Sequence, residues 1–193
     1  MATPYIGHRI LVWGNSCSGK SSLAELLATT IEAPFVELDA LNWLPNWVGL
    51  NTTDPDRLLR RIEEATGGDA WVVAGSYSEQ SQVAFWPNLE TIVWLDLPRH
   101  LLIRRCLKRS FLRWWRKELL WGTNYESFVK QLQFWRGEES LLWWVWTQHA
   151  NKRADSIRYM TDPSWQHIRW IHLRSEIDVD RFCQTVRATA SVS

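Results

Sequence analysis

The stretch Gly14-Asn15-Ser16-Cys17-Ser18-Gly19-Lys20-Ser21-Ser22 constrains the fold more than any other part of the chain. It carries the pattern G-x-x-x-x-G-K-[ST]. Before it lies "RILVW", Arg9 to Trp13, an apolar run of strand length. After it come Leu23, Leu26, Leu27 and Ile31, apolar at helical spacing. The segment therefore reads as a turn from a buried strand into a helix. Its glycines let the backbone curl so that successive amides converge on one anion. The positive end of the following helix points at the same place. In this reading residues 14 to 22 hold the phosphates of a nucleotide. Lys20 reaches the β and γ phosphates, and the Ser21 hydroxyl serves Mg²⁺. Cys17 reads as a small residue tolerated within the loop.

Further apolar runs repeat the alternation of strand and helix. "FVELD" (35 to 39), "AWVVAG" (70 to 75), "TIVWLDLP" (91 to 98) and "HIRWIHL" (167 to 173) read as strands. Asp54 and Pro55 read as the cap and first residue of a helix that stops at Gly67-Gly68. A closing helix is expected over residues 178 to 188. Short apolar strands between helices indicate an α/β fold on a parallel sheet, with both faces covered. The 193 residues suit one domain, 1 to 193. Residues 99 to 160, with no clear strand, are expected to form a helical lid. Thr123-x-x-Glu126 reads there as a capping box.

Composition narrows the partners. With 46% apolar and 22% charged residues, the chain is of neither disordered nor membrane composition. Cys17, Cys106 and Cys183 are far apart and lack metal-ligand spacing, so neither a zinc site nor a disulfide framework is expected. The amino terminus has no apolar stretch long enough for a signal peptide, and "LLWWVW" (141 to 146) is too short to span a bilayer. A cytoplasmic location is expected. Most of the fifteen tryptophans should pack a core or lid.

The class of nucleotide protein follows by comparison of motifs. "NKRAD", Asn151 to Asp155, misses the guanine-reading N-K-x-D because its aspartate comes one residue late. "IVWLDL" supplies Asp96 but then Leu97, where ATPase machines have a second acid. A small kinase remains. The stretches "GNSCSGKSSLAELLA", "ELDALNWLPNW", "WVVAGSY", "VWLDLPRHLLIRRCLKR" and "RKELLWGTNYES" resemble, in order, those of the adenylate-kinase-like small P-loop kinases. The nearer resemblance is to a bacterial branch often labelled adenylate kinase or DNA topology modulation protein. The resemblance implies a three-layer α/β/α fold, a five-stranded parallel sheet in order 2-3-1-4-5, and ATP with Mg²⁺. It also implies an acid where this chain has Ala74, so Asp39 or Asp96 would have to approach the metal, or turnover would be weak or absent.

Other site candidates follow from position. Asp39, at the carboxyl end of a strand, is placed to receive a substrate hydroxyl proton or approach the metal. Trp43 and Trp47 stand where such kinases hold the acceptor, and either stack on it or close the core. Tyr77 follows the third strand on the same side. From Arg99 to Lys117 there are eight basic residues and no acid. Arg105, Arg109, Arg113 and Arg116 recur at helical spacing, and the resemblance implies that they face the phosphates from a lid, with Arg105 flanking the nucleotide base as the alternative. Asn124 and Glu126 are polar candidates facing acceptor or lid. The acceptor stays open among nucleotides, nucleosides and other small metabolites. Two rivals stay open as well: a nucleotide-regulated binder of nucleic acid, using the basic and tryptophan-containing segment, and a nucleotide binder without turnover.

Overall fold

The computed structural model describes residues 6–125 and 141–190. Its centre is a sheet of five parallel strands: β1 (Arg9–Gly14), β2 (Phe35–Glu37), β5 (Trp71–Ala74), β6 (Thr91–Leu95) and β9 (Arg169–Leu173), in the order β2-β5-β1-β6-β9. Numbered by chain order within this sheet alone, that is 2-3-1-4-5, as expected.

Alternation along the strands sorts the side chains into two cores. Ile10, Val12, Val72, Ala74, Val93 and Leu95 pack beneath α1 (Lys20–Thr30) and α8 (Glu176–Ala190), which contribute Leu23, Leu27, Phe182 and Val186. Leu11, Trp13, Val73, Ile92 and Trp94 face the other way. That layer includes α4 (Pro55–Ala65), with Leu58 and Ile62 inward, α5 (Ser78–Ala84), and Tyr159 of α7 (Leu141–Thr161). Asp54 caps α4 by accepting from the amide of Arg57 at 3.0 Å, and Pro55 opens it.

The tryptophans concentrate in the second layer. Trp86 has no exposed surface and meets Trp13, Tyr159 and Trp165 edge-on. Such edge contacts match the positive rim of one ring to the negative face of another.

Two expectations change. The second strand ends at Glu37, and Asp39 sits in a short helix, α2 (Leu38–Asn42). The interval after Pro98 is not wholly helical: after α6 (Arg99–Arg116) come β7 (Leu119–Leu120) and β8 (Asn124–Tyr125), an antiparallel pair. Leu119 and Leu120 follow Lys117, whose φ of 47° turns the chain out of the helix. Thr123 is in the turn of this hairpin, its amide bonded to the Leu120 carbonyl; Glu126 lies outside the described residues. A second pair, β3 (Trp43–Leu44) and β4 (Val48–Gly49), frames a strap ahead of α3 (Leu50–Thr53). Among the described residues no helix is long and apolar enough to cross a membrane.

Candidate active site

The glycine-containing turn joins β1 to α1 at the carboxyl edge of the sheet. Gly14 has φ 151°, and a Cβ there would come within 2.8 Å of the Leu95 carbonyl oxygen. Gly19, at φ 97°, is in the left-handed region that side chains disfavour. Cys17 adopts φ 64° as well. Asn15 organises the curl: its carbonyl accepts from the Ser18 amide at 3.3 Å and from Lys20 Nζ at 2.9 Å, while its Oδ1 accepts from the Ser16 amide at 2.8 Å. The first amides of α1, at Lys20, Ser21 and Ser22, have no carbonyl within the helix to bond. Asn15 Nδ2 and Ser18 Oγ are buried and have no hydrogen-bond partner. Within a loop that is rich in amide donors, they are open to a ligand's oxygens. A donor-rich curl with two orphaned polar atoms fits a triphosphate. Burial first, then Arg109, lowers the Lys20 ammonium from its ordinary value, against the pull of Asp39, Cys17 and Glu37.

Ser21 Oγ donates to Glu37 Oε1 at 2.7 Å, and Trp121 Nε1 donates to Glu37 Oε2 at 3.0 Å. Glu37 was not singled out from the sequence. The signal was its register: in the sheet it pairs with Ala74, the position where the resemblance implies an acid. A carboxylate thus stands one strand over from that position. A serine hydroxyl and one carboxylate are hard oxygen donors that suit Mg²⁺, which keeps several waters and takes the rest from phosphates.

Asp39 is not the partner of Ser21. Its Oδ1 accepts from the Tyr77 hydroxyl at 2.7 Å. Burial, and then Asp39 itself, raise the Tyr77 phenol well above its ordinary range, so Tyr77 stays a donor. Asp96 departs further from the metal expectation. Its Oδ2 lies 3.0 Å from Arg153 Nε and 2.9 Å from His172 Nε2, and Arg174 Nε donates to His172 Nδ1 at 3.3 Å. A carboxylate between two such donors ties β6, β9 and α7 together. Helix α7 brings in one more unforeseen group, Lys152, whose Nζ donates to Ser76 Oγ at 2.9 Å.

The basic helix α6 runs alongside. Arg105 donates to the Ser18 carbonyl at 3.0 Å and to Glu176 Oε1 at 2.7 Å, so it flanks the loop. Arg105, Arg109, Arg113 and Arg116 line one cleft of about 280 Å³ with Glu118. Arg113 is 3.5 Å from Glu118 Oε1, a partly exposed pair of small energetic weight. Arg113 and Arg116 also occupy the last turn of α6, where cations complement the helix dipole.

The acceptor-side tryptophans pack on one another. Trp43 and Trp47 meet edge-on at 5.6 Å, and Trp47 meets Trp121 at 5.9 Å. Asn124 is not a ligand contact here. It is 2% exposed; its Oδ1 accepts from the Trp47 amide at 2.9 Å, and its Nδ2 donates to the carbonyl of Leu44 at 3.1 Å and to Thr123 Oγ1 at 3.0 Å. The hairpin β7-β8 is thereby fastened to the strap β3-β4. Asn124→Ala leaves the partly buried Trp47 amide and Leu44 carbonyl without these partners, and should cost about 1–3 kcal/mol. Urea unfolding of the variant beside the parent measures this.

No family model and no curated protein matches the chain. Solved structures do. A gluconokinase from Sinorhizobium meliloti 1021 matches at 18% identity and TM-score 0.52, over 96% of this chain and 93% of its own. A shikimate kinase from Bacteroides thetaiotaomicron matches at 14% and 0.54, over 95% and 98%. A deoxyadenosine kinase from M. mycoides, with dCMP and dCDP bound, matches at 10% and 0.52, over 95% and 98%. The chain has the fold of the adenylate-kinase-like small P-loop kinases.

Proposed function

We propose that this protein is an ATP-dependent phosphotransferase that moves the γ-phosphoryl group to a hydroxyl of a small acceptor. The observation that supports it most is the loop itself: a curl organised by Asn15, closed by Lys20, with the orphaned Asn15 Nδ2 and Ser18 Oγ inside. Residues 14 to 22 bind the triphosphate through main-chain amides. Ser21 and Glu37 hold Mg²⁺, which when bound neutralises charge on the β and γ phosphates. Asp39, held by Tyr77, accepts the proton of the acceptor hydroxyl. Phosphoryl transfer passes through a loose transition state, so orientation and charge matter more than base strength. Arg109 lies near Lys20 and supplies charge from the lid; Arg113 and Arg116 line the same cleft. Arg105 flanks the nucleotide.

The acceptor approaches from the side of Asp39 and Tyr77, under the strap that carries Trp43 and Trp47. The neighbours named above differ in acceptor. A nucleoside or another small metabolite offers the acceptor hydroxyl; a nucleotide would accept through a phosphate oxygen instead, with no proton for Asp39 to take. A reading as a single-strand nucleic-acid binder rests on the exposed Phe111, Trp114 and Trp115 among the arginines of α6. It predicts affinity that falls steeply with salt.

A thermal-shift panel tests the proposal. At a hundredfold excess over the dissociation constant, MgATP should raise Tm by about 5–10 °C. No shift with ATP at millimolar concentration, with or without Mg²⁺, would refute the reading. Glu37→Gln tests the metal assignment: the increment that Mg²⁺ adds to the ATP shift should largely disappear. The shift by ATP without Mg²⁺ should persist or grow, because a negative charge facing the phosphates has gone.

A further inference from the structure

We infer that Lys152 is a second phosphate-binding cation of the site and contacts the transferring γ-phosphoryl group. This rests on the phosphotransferase reading above.

Position is the first argument. His149, Lys152, Arg153 and Ser156 recur at three or four residues along α7, so they share one face of the helix. That face is pinned to the carboxyl edge of the sheet at three points. His149 Nε2 lies 3.1 Å from the Leu97 carbonyl oxygen. Arg153 bonds Asp96 at 3.0 Å. Ser156 Oγ accepts from Trp13 Nε1 at 2.8 Å and donates to the Lys152 carbonyl at 2.7 Å. The first and second contacts reach the chain just past β6, and the third reaches β1 one residue before Gly14. Lys152 is therefore carried on a fixed face and reaches the chain just past β5, where its Nζ bonds Ser76 at 2.9 Å.

The electrostatic surroundings are the second. Lys152 interacts with Lys20 from α1, Asp39 from α2 and Asp155 of its own helix. Asp39 is bonded to Tyr77, next to Ser76. The Lys152 ammonium is thus close enough to feel both the lysine of the donor phosphates and the carboxylate of the acceptor side. Burial and then Lys20 hold this ammonium down to about 8. Lys20 and Lys152 repel each other, Asp39 offsets that repulsion in part, and a further anion would offset it more. A γ-phosphoryl group is such an anion, and its charge is spread over equatorial oxygens during transfer.

The probes are ADP and the β,γ-imido analogue of ATP, each with Mg²⁺, titrated by calorimetry into the full chain. The parent should bind the imido analogue more tightly than ADP. In Lys152→Met this preference should fall about 10- to 100-fold, the loss of one charge-assisted bond, with ADP affinity within about threefold. Lys152→Arg should recover most of the preference. In the parent the preference should also decline as pH rises from 7 to 9.5, and in Lys152→Arg it should decline less, the remainder coming from Lys20, whose ammonium burial also lowers. This arm decides the matter if the methionine variant does not fold. An unchanged preference in Lys152→Met, or equal loss of both ligands, overturns the inference and leaves the nucleotide site standing. A parent that binds neither nucleotide overturns the phosphotransferase reading, and this inference with it.

Discussion

Lys20→Met is expected to lower ATP turnover about 100- to 1000-fold, the usual cost of removing one preorganised charge from a phosphoryl-transfer site. Single-turnover release of phosphate from radiolabelled ATP measures it, with any acceptor that the thermal-shift panel reveals. The fold should survive. Lys20 has one hydrogen bond to the chain, at the Asn15 carbonyl, and burial lowers its pKa, so its charge opposes folding at neutral pH. The sign follows from linkage. With the folded pKa below the unfolded one, the unfolded chain binds more protons between the two values, and stability rises with pH across that window. Lys152, held near 8, acts in the same direction between pH 8 and its unfolded value of 10.5. Methionine at position 20 removes the charge and keeps the length of the chain. The Tm without nucleotide should be unchanged or higher. A variant that turns over ATP as the parent does would remove Lys20 from the chemistry.

The parts of this molecule written locally were legible in the sequence. The five strands of the main sheet are short apolar runs, and their order follows from the resemblance carried by the motifs. The loop 14 to 22 is one continuous stretch, so its glycines and Lys20 announce themselves. The groups that the fold assembles from distant segments were not legible. Glu37 is an ordinary strand-end glutamate until the register sets it beside Ala74 and Ser21 meets it. Lys152 lies within "NKRAD", a near miss for the guanine-reading motif, and only the three anchors of α7 set which way it faces. Asp96 had the right address for a metal, but its Oδ2 is taken up by Arg153 and His172, which come from residues far along the chain. Asn124 looked like a ligand because it is polar near a lid tip. Its burial and its two hydrogen bonds across to the strap are tertiary facts. The pair β7-β8 has two residues on each side, too few for a period to be read.

Trp86→Ala is expected to cost about 3–5 kcal/mol of stability, at the upper end for a core substitution. That is a large share of the total of about 5–15 kcal/mol typical of a folded domain. Trp86 is fully buried and central to a group of rings, with centroids of Tyr159 and Trp165 at 5.2 and 5.1 Å and Trp13 at 6.1 Å. Four rings meeting edge-to-face leave a void that backbone shifts cannot close, because Trp13 is held in β1 and Tyr159 in α7. The corresponding loss in Tm is about 6–20 °C. Trp86→Phe separates packing from polarity. The indole Nε1 of Trp86 is buried without a hydrogen-bond partner, so phenylalanine forfeits part of the volume but relieves an unsatisfied donor. It should cost about 1 kcal/mol. Urea unfolding with a common slope, m, measures both. A similar loss for alanine and phenylalanine would mean that the indole's outer ring, not the filling of the cluster, carries the energy. The site feels the difference as well. Tyr159 is two turns from Lys152 on α7, and the helix is held there by the same rings. The alanine variant should therefore loosen α7 before it unfolds the sheet, and lose the nucleotide-dependent rise in Tm at temperatures where its strands are still protected from hydrogen exchange.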